Sequence, residues 1–295
     1  MTLQATHPDF LTLFPEGAAP EQVGRGFTWA EGPTYLPGRG CVVFSDVREN
    51  RTWRFTDLGV LAVELEPSHH QNGHCLDAQG RLIACSHGLR ALLRQEDSGE
   101  WTVLADRFEG RRLNSPNDVA LHPDGSLWFS DPTYGIDKPE EGYGGEMELP
   151  GRWVFRLDPD GTLTAPIRDR SKPNGLAFAD AATLLLADTG DGGVYRYRVT
   201  PGGAATLDGE HFRVSPGKTD GLRLDEQGRI WSSAADGVHV LTPDGRELGR
   251  IPVPETVSNL CFGGPDGTLL YMTATTGLYS IPTRTRALTW AAPSA

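Results

Sequence analysis

The sequence predicts an all-β fold, a six-bladed β-propeller of four-stranded antiparallel blades, on three observations. One pattern recurs six times along the 295 residues. Each copy pairs two short apolar runs across a tight turn. No stretch shows helical periodicity long enough for a crossover helix, which disfavours a parallel α/β fold.

The copies begin with EGPTYLPGRGCVVFSD at Glu31, NGHCLDAQGRLIACSH at Asn72 and NDVALHPDGSLWFSDP at Asn117. They continue with NGLAFADAATLLLADT at Asn174, DGLRLDEQGRIWSSAA at Asp220 and NLCFGGPDGTLLYMTA at Asn259. The turns between the runs (PGRG, DAQG, HPDG, ADAA, DEQG, GPDG) are mostly rich in Gly and Asp, which tolerate positive φ and suit hairpins. Each unit therefore opens on a hairpin. Further strands are expected after it, at Thr52–Phe55 and Val60–Glu66 in the first unit and at Gly237–Leu241 and Glu247–Ile251 in the fifth. The six opening residues stand 41, 45, 57, 46 and 39 residues apart, which is the size of a propeller blade. The last unit ends soon after Ile281, so residues around Leu11–Gly24 are expected to supply the outer strand that closes the ring. On this reading residues 1–295 form a single propeller domain. A pair of β-sandwiches is the competing arrangement.

Composition narrows the function. A chain this long buries roughly 75% of the surface it exposes when unfolded, so its core needs no disulfide support. The 36 glycines and 22 prolines punctuate the apolar runs without forming a low-complexity tract. The formal charge of −12 argues against a nucleic-acid partner, which would need a basic face; it reads as solubility. MTLQATHPDFLTLF shows no basic segment followed by an apolar one, and no run approaches the ~20 apolar residues that span a bilayer. No membrane partner is expected, and a cytoplasmic location is. Cys41, Cys75, Cys85 and Cys261 show no CxxC spacing and sit in apolar runs, as small buried side chains do.

The first residue of each copy carries the chemistry. The innermost strand of every propeller blade lines the central channel, so one repeat position returns to one height around the axis. Glu31, Asn72, Asn117, Asn174, Asp220 and Asn259 all hold a side-chain oxygen there, although Asn and Asp are depleted in strands. Capping of the chain that leads into each strand is one reading. Glu31 caps poorly, and two carboxylates with four neutral amides nearly balance a divalent cation. Oxygen-only ligation suits a hard ion, calcium before magnesium.

With these residues in hand, the sequence resembles the senescence marker protein/gluconolactonase/luciferin-regenerating-enzyme family of calcium-dependent lactonases, on its microbial gluconolactonase-like branch. FTWAEGPTYL, QNGHCLDAQGRLIACSHG, RRLNSPNDVALHPDGSLWFSDPTYGI, KPNGLAFADAATLLLADT and TDGLRLDEQGRIWSSAADGV carry the resemblance in the same order. It implies one divalent cation, most often Ca2+ with Mg2+, Mn2+ or Zn2+ as alternatives, held by Glu31, Asn117, Asn174 and Asp220. It implies a small lactone or ester substrate, met by Asn114, Asp131 and Tyr134. Asn72 and His74 are added from the channel reading as further substrate-binding residues, and Asn72 and Asn259 as supports or ligands of a shifted ion. Animal members read RFND where this chain reads NSPND, a departure that bears on the substrate contacts.

The resulting expectation is a metal-dependent lactone hydrolase in which the ion polarises the carbonyl and Asp220 either orients or deprotonates water or serves only as a ligand. A serine route has no GxSxG elbow to stand on. His74 is read either as a packing residue or as a channel acid/base, to be compared with His87, and His122 as a solvated turn residue. The segment 133–152, which widens one spacing to 57 residues, is read either as a mobile cover of the channel mouth or as an ordinary hairpin loop. A phosphotriesterase using the same ion and a non-catalytic interaction propeller remain the alternative functions.

Overall fold

The computed structural model describes residues 1–289. Six antiparallel sheets of four blade strands follow one another along the chain, with a two-stranded ribbon at Arg107–Phe108 and Arg111–Arg112 beside them. Blade 1 runs from its inner strand Ala30–Leu36 through Cys41–Asp46 and Arg51–Thr56 to Leu61–Leu65. The inner strands of blades 2 to 6 are Gln71–Leu76, Val119–Leu121, Pro173–Asp180, Leu222–Leu224 and Val257–Gly263. The all-β six-bladed propeller expected from the repeats is the fold observed. Among the described residues no helix is long and apolar enough to cross a membrane.

Closure uses the N-terminal region, though not over the whole expected span. Glu21–Arg25 pairs with Gly277–Pro282 as the outer strand of blade 6, so the ring is joined by hydrogen bonds between the two ends of the chain. Asp9–Thr12, part of which lay in the predicted span, is a short helix instead. Its Phe10 is fully buried and stacks edge-on with Phe14, which reaches Trp231 of blade 5. Gln4–Ala5 adds a fifth strand to blade 5 by pairing with Glu247–Pro252.

The core lies between blades. Period-2 alternation in each strand sends apolar side chains to both sheet faces, where they meet those of the neighbour. Trp128 of blade 3 packs with Phe178, Leu184 and Leu186 of blade 4. Phe27, Phe44, Cys261 and Tyr271 fill the seam of blades 6 and 1, and Trp231 meets Phe262 across blades 5 and 6. Cys41, Cys85 and Cys261 are buried and unpaired, as expected; Cys75 is half-buried at the channel. His122 departs from its expected solvation. Its turn tucks against blade 4, where the ring lies 4.6 Å from Phe178 and Nε2 donates to the Ala181 carbonyl at 2.9 Å.

At the axis the inner strands approach so closely that backbone meets backbone. Gly73 N donates to Asn117 O at 2.8 Å, Gly175 N to Asp220 O at 3.0 Å and Gly221 N to Ser258 O at 2.8 Å. A Cβ on Gly32 or Gly175 would overlap the carbonyl of Asn72 or Asp220, and Gly32 also has φ +53°. Glycine after the oxygen-bearing residue is thus an inter-blade contact and not a turn. Overpacking costs about 1–3 kcal/mol and left-handed strain about as much again. Gly32→Ala should therefore lower unfolding stability by about 3 kcal/mol or more, against less than about 1 kcal/mol for Gly202→Ala, where a Cβ meets nothing within 4 Å. Urea midpoints of the two variants check this; equal losses would contradict it.

Candidate active site

The repeat's opening residues reach the channel because the ladder breaks beside them. Pairing shifts register between Glu31 and Thr34, Gln71 and His74, Pro173 and Leu176, and Val257 and Asn259. In blades 3 and 5 the inner strand starts only after Asn117 and Asp220. A bulge inserts a residue and re-aims its side chain. Here it turns an oxygen-bearing group from the sheet face toward the axis.

Five of the six residues converge. Glu31, Asn72, Asn117, Asn174 and Asp220 line a cavity of about 50 Å³ at one end of the channel. Trp29, Tyr134, Lys138 and Glu141 complete its wall. Asn259 does not line the cavity but lies beside Glu31, whose pKa its amide lowers; its Nδ2 donates to Asp118 Oδ2 at 3.3 Å and its Oδ1 accepts from Leu260 N. Farther along the same strands lies a second, larger cavity bordered by Cys75, Leu176, Arg223 and Cys261. His74 faces that cavity and not the first. Its Nδ1 donates to the Gly32 carbonyl at 2.8 Å, and burial pushes the ring's pKa down to about 4. The packing role fits it, and the structure does not join it to the oxygen cluster.

Carboxamides run along the wall as a chain. Asn72 Nδ2 donates to Asn117 Oδ1 at 2.9 Å, Asn117 Nδ2 to Asn174 Oδ1 at 2.6 Å, and Asn174 Nδ2 to the Tyr134 hydroxyl at 3.3 Å. His87, absent from the predicted set, closes the chain at its start. Its Nδ1 donates to the Glu141 carbonyl at 3.0 Å, so Nε2 of the neutral ring is free to accept from Asn72 Nδ2 at 3.2 Å. The 3.0 Å approach of Nε2 to Asn117 Oδ1 is a hydrogen bond only when the ring carries both protons, a state that burial opposes.

Asn114 and Asp131 do not line the cavity. Both are fully buried behind it; Asn114 N donates to Asp131 Oδ2 at 2.8 Å, and its Nδ2 donates to the carbonyls of Asp131 and Gly151. They tie the segment ahead of Asn117 to the base of the 133–152 insertion. That insertion folds over the channel mouth. Tyr134–Asp137 and Pro139–Gly142 are single helical turns, and Gly135 packs on His87 while Gly88 packs under Tyr143.

The two carboxylates carry the site's electrostatics. Burial, then the charge of Asp220, holds Glu31 well above the ordinary carboxylate range, while Gly32 N donates to its Oε2 at 2.7 Å. Burial, then the charge of Asp118, pushes Asp220 up to about 7, and Lys138 only partly offsets this because its ammonium pairs with Glu141. Two buried carboxylates short of positive charge, ringed by neutral amide oxygens, form a donor set that fits one hard divalent cation. Among the described residues no three His, Cys, Asp or Glu side chains gather as a metal cluster, so amide oxygens are needed to complete a shell here.

The SMP-30/gluconolactonase/LRE-like family model matches residues 29–276. A gluconolactonase from Zymomonas mobilis is 30% identical, over 90% of this chain and 81% of its own. An X-ray structure from a structural-genomics consortium superposes with TM-score 0.96 at 66% identity, covering 98% of this chain and all 100% of that one. A gluconolactonase structure from Xanthomonas campestris gives TM-score 0.91 at 34% identity, covering 96% and 95%.

The raised carboxyl of Asp220 makes a stability prediction. Its folded pKa of about 7 exceeds its ordinary 3.8, so the folded state binds the proton more tightly, and stability falls as pH rises across that window. In chelator, the melting temperature of the wild type should therefore drop relative to Asp220→Asn between about pH 4 and pH 7. Thermal scans across that range check it; a constant difference would contradict it.

Proposed function

The chain belongs to the SMP-30/gluconolactonase/LRE-like family, and from that membership and the channel site we propose that it opens small sugar lactones by hydrolysis. The observation that supports this most directly is the meeting of Glu31, Asn117, Asn174 and Asp220 at one cavity. These four side chains would hold the divalent cation, calcium before magnesium, manganese or zinc. When bound, such an ion polarises a carbonyl oxygen and acidifies a water that touches it.

The chain's own groups do the rest. Lactone opening adds a water oxygen to the acyl carbon, breaks the ring C–O bond and delivers a proton to the departing ring oxygen. Asp220 orients the water and takes its proton, which then becomes available to the ring oxygen. Asn72 and the Tyr134 hydroxyl border the cavity and place the substrate. The Asn72–Asn117–Asn174 chain keeps their rotamers fixed, so little reorganisation is needed when substrate arrives. Trp29, with Arg48 stacked 5.1 Å over its ring, walls one side against water. Asn114 and Asp131 act from behind by holding the backbone that presents Asn117.

A pH-stat panel of aldonolactones and paraoxon-like esters tests the proposal, with chelator and with each metal added back. Lactone turnover that disappears on chelation and returns with calcium is expected; turnover indifferent to thorough chelation, or confined to the phosphotriester, would refute it. Asp220→Ala should lower kcat by about 10²–10⁴-fold, the usual worth of a positioned base, and a variant with full metal-dependent turnover would remove Asp220 from the reaction.

A further inference from the structure

The helical turn Pro139–Gly142 sets Glu141 in the cavity wall beside Lys138, with only 5% of the residue exposed. Three donor contacts converge on one of its two oxygens. Arg48 Nη2 donates to Oε1 at 2.9 Å, Arg48 Nε at 3.1 Å and Lys138 Nζ at 3.1 Å. No described residue donates to Oε2, yet that atom is not among the polar atoms sealed from solvent without a partner. Two cations therefore clamp the carboxylate by one oxygen and leave the other as an acceptor that no described residue satisfies, on a side chain that lines the cavity. A hydroxyl donates into such an acceptor. A methylene in the same place desolvates it and gives nothing back, a mismatch that discriminates strongly.

We infer that Glu141 is a specificity-determining residue, accepting a hydrogen bond from a substrate hydroxyl and so favouring polyhydroxylated lactones over alkyl lactones of the same ring size. The inference rests on the lactonase proposal. Glu141→Gln is the discriminating variant. Arg48 and Lys138 only donate, so they retain the carboxamide oxygen, and the amide NH2 must take the place of Oε2. Shape is kept while an acceptor becomes a donor.

The test compares kcat/KM for glucono-1,5-lactone and δ-valerolactone, each corrected for its uncatalysed rate, in wild type and Glu141→Gln. The ratio favouring the hydroxylated ring should fall about 10- to 100-fold in the variant, the worth of a hydrogen bond to a charged group. An unmoved ratio, including equal proportional losses on both lactones as a purely structural role would give, overturns the inference alone. The wild type also decides without the variant: a corrected preference below about 10-fold overturns it even if Glu141→Gln does not fold. A wild type that opens neither ring overturns the lactonase proposal and this inference together.

Discussion

Everything in the channel depends on how near the inner strands come to one another. Six strands meeting at an axis leave no room for side chains between their backbones at that height, so peptide groups bond directly from blade to blade. Glycine fills Gly32, Gly73 and Gly175 for this reason, and Gly221 because a Cβ there would overlap the Asn259 side chain. The same crowding ends the regular ladder, and the bulge that results points the preceding side chain inward. One steric constraint thus yields both the tight hub and the ring of oxygens. The pairing of an oxygen-bearing residue with glycine is a single structural device.

Burying two carboxylates at that hub is unfavourable unless something positive or hydrogen-bonding answers them. The protein answers with neutral amides and a backbone N–H, and it spends its nearby cations elsewhere. Arg48 and Lys138 both turn to Glu141, and Arg223 faces Asp118 at 3.5 Å on the other side of the cluster. The arrangement keeps the oxygens close without neutralising them internally. A site so built is unfinished as a charge distribution, and its asymmetry favours a cation over any anion.

Repetition made the fold legible from sequence. A period-2 apolar run and a turn, written six times, leave few architectures open, and the strands at Gly237–Leu241 and Glu247–Pro252 lie within a residue of expectation. The anchors were legible for the same reason, since equivalent repeat positions return to one height. What the pattern could not carry was anything outside it. Trp29 precedes the first repeat; Lys138 and Glu141 lie in a non-repeated insertion, and only its length marked it. His87 sits at a strand end, where periodicity says nothing about depth. Asn114 and Asp131 bear oxygens near the right place, but a residue's distance from the axis depends on backbone path, and theirs leads behind the wall. His122 looked solvated because turns usually are; the neighbouring blade that covers it is remote in sequence from the turn.

The double grip of the first twenty-five residues, on blade 5 through Gln4–Ala5 and on blade 6 through Glu21–Arg25, has a temporal side. Both segments are made before the strands they pair with, Glu247–Pro252 and Gly277–Pro282. Five blades can assemble in sequence on local contacts, while the final seam waits for the last blade strand and must close a loop that encloses the other blades. Until Gly277–Pro282 has been made, Glu21–Arg25 stands unpaired. The growing protein therefore carries an unpaired strand-forming segment through most of its synthesis, and the last blade strand is what silences it.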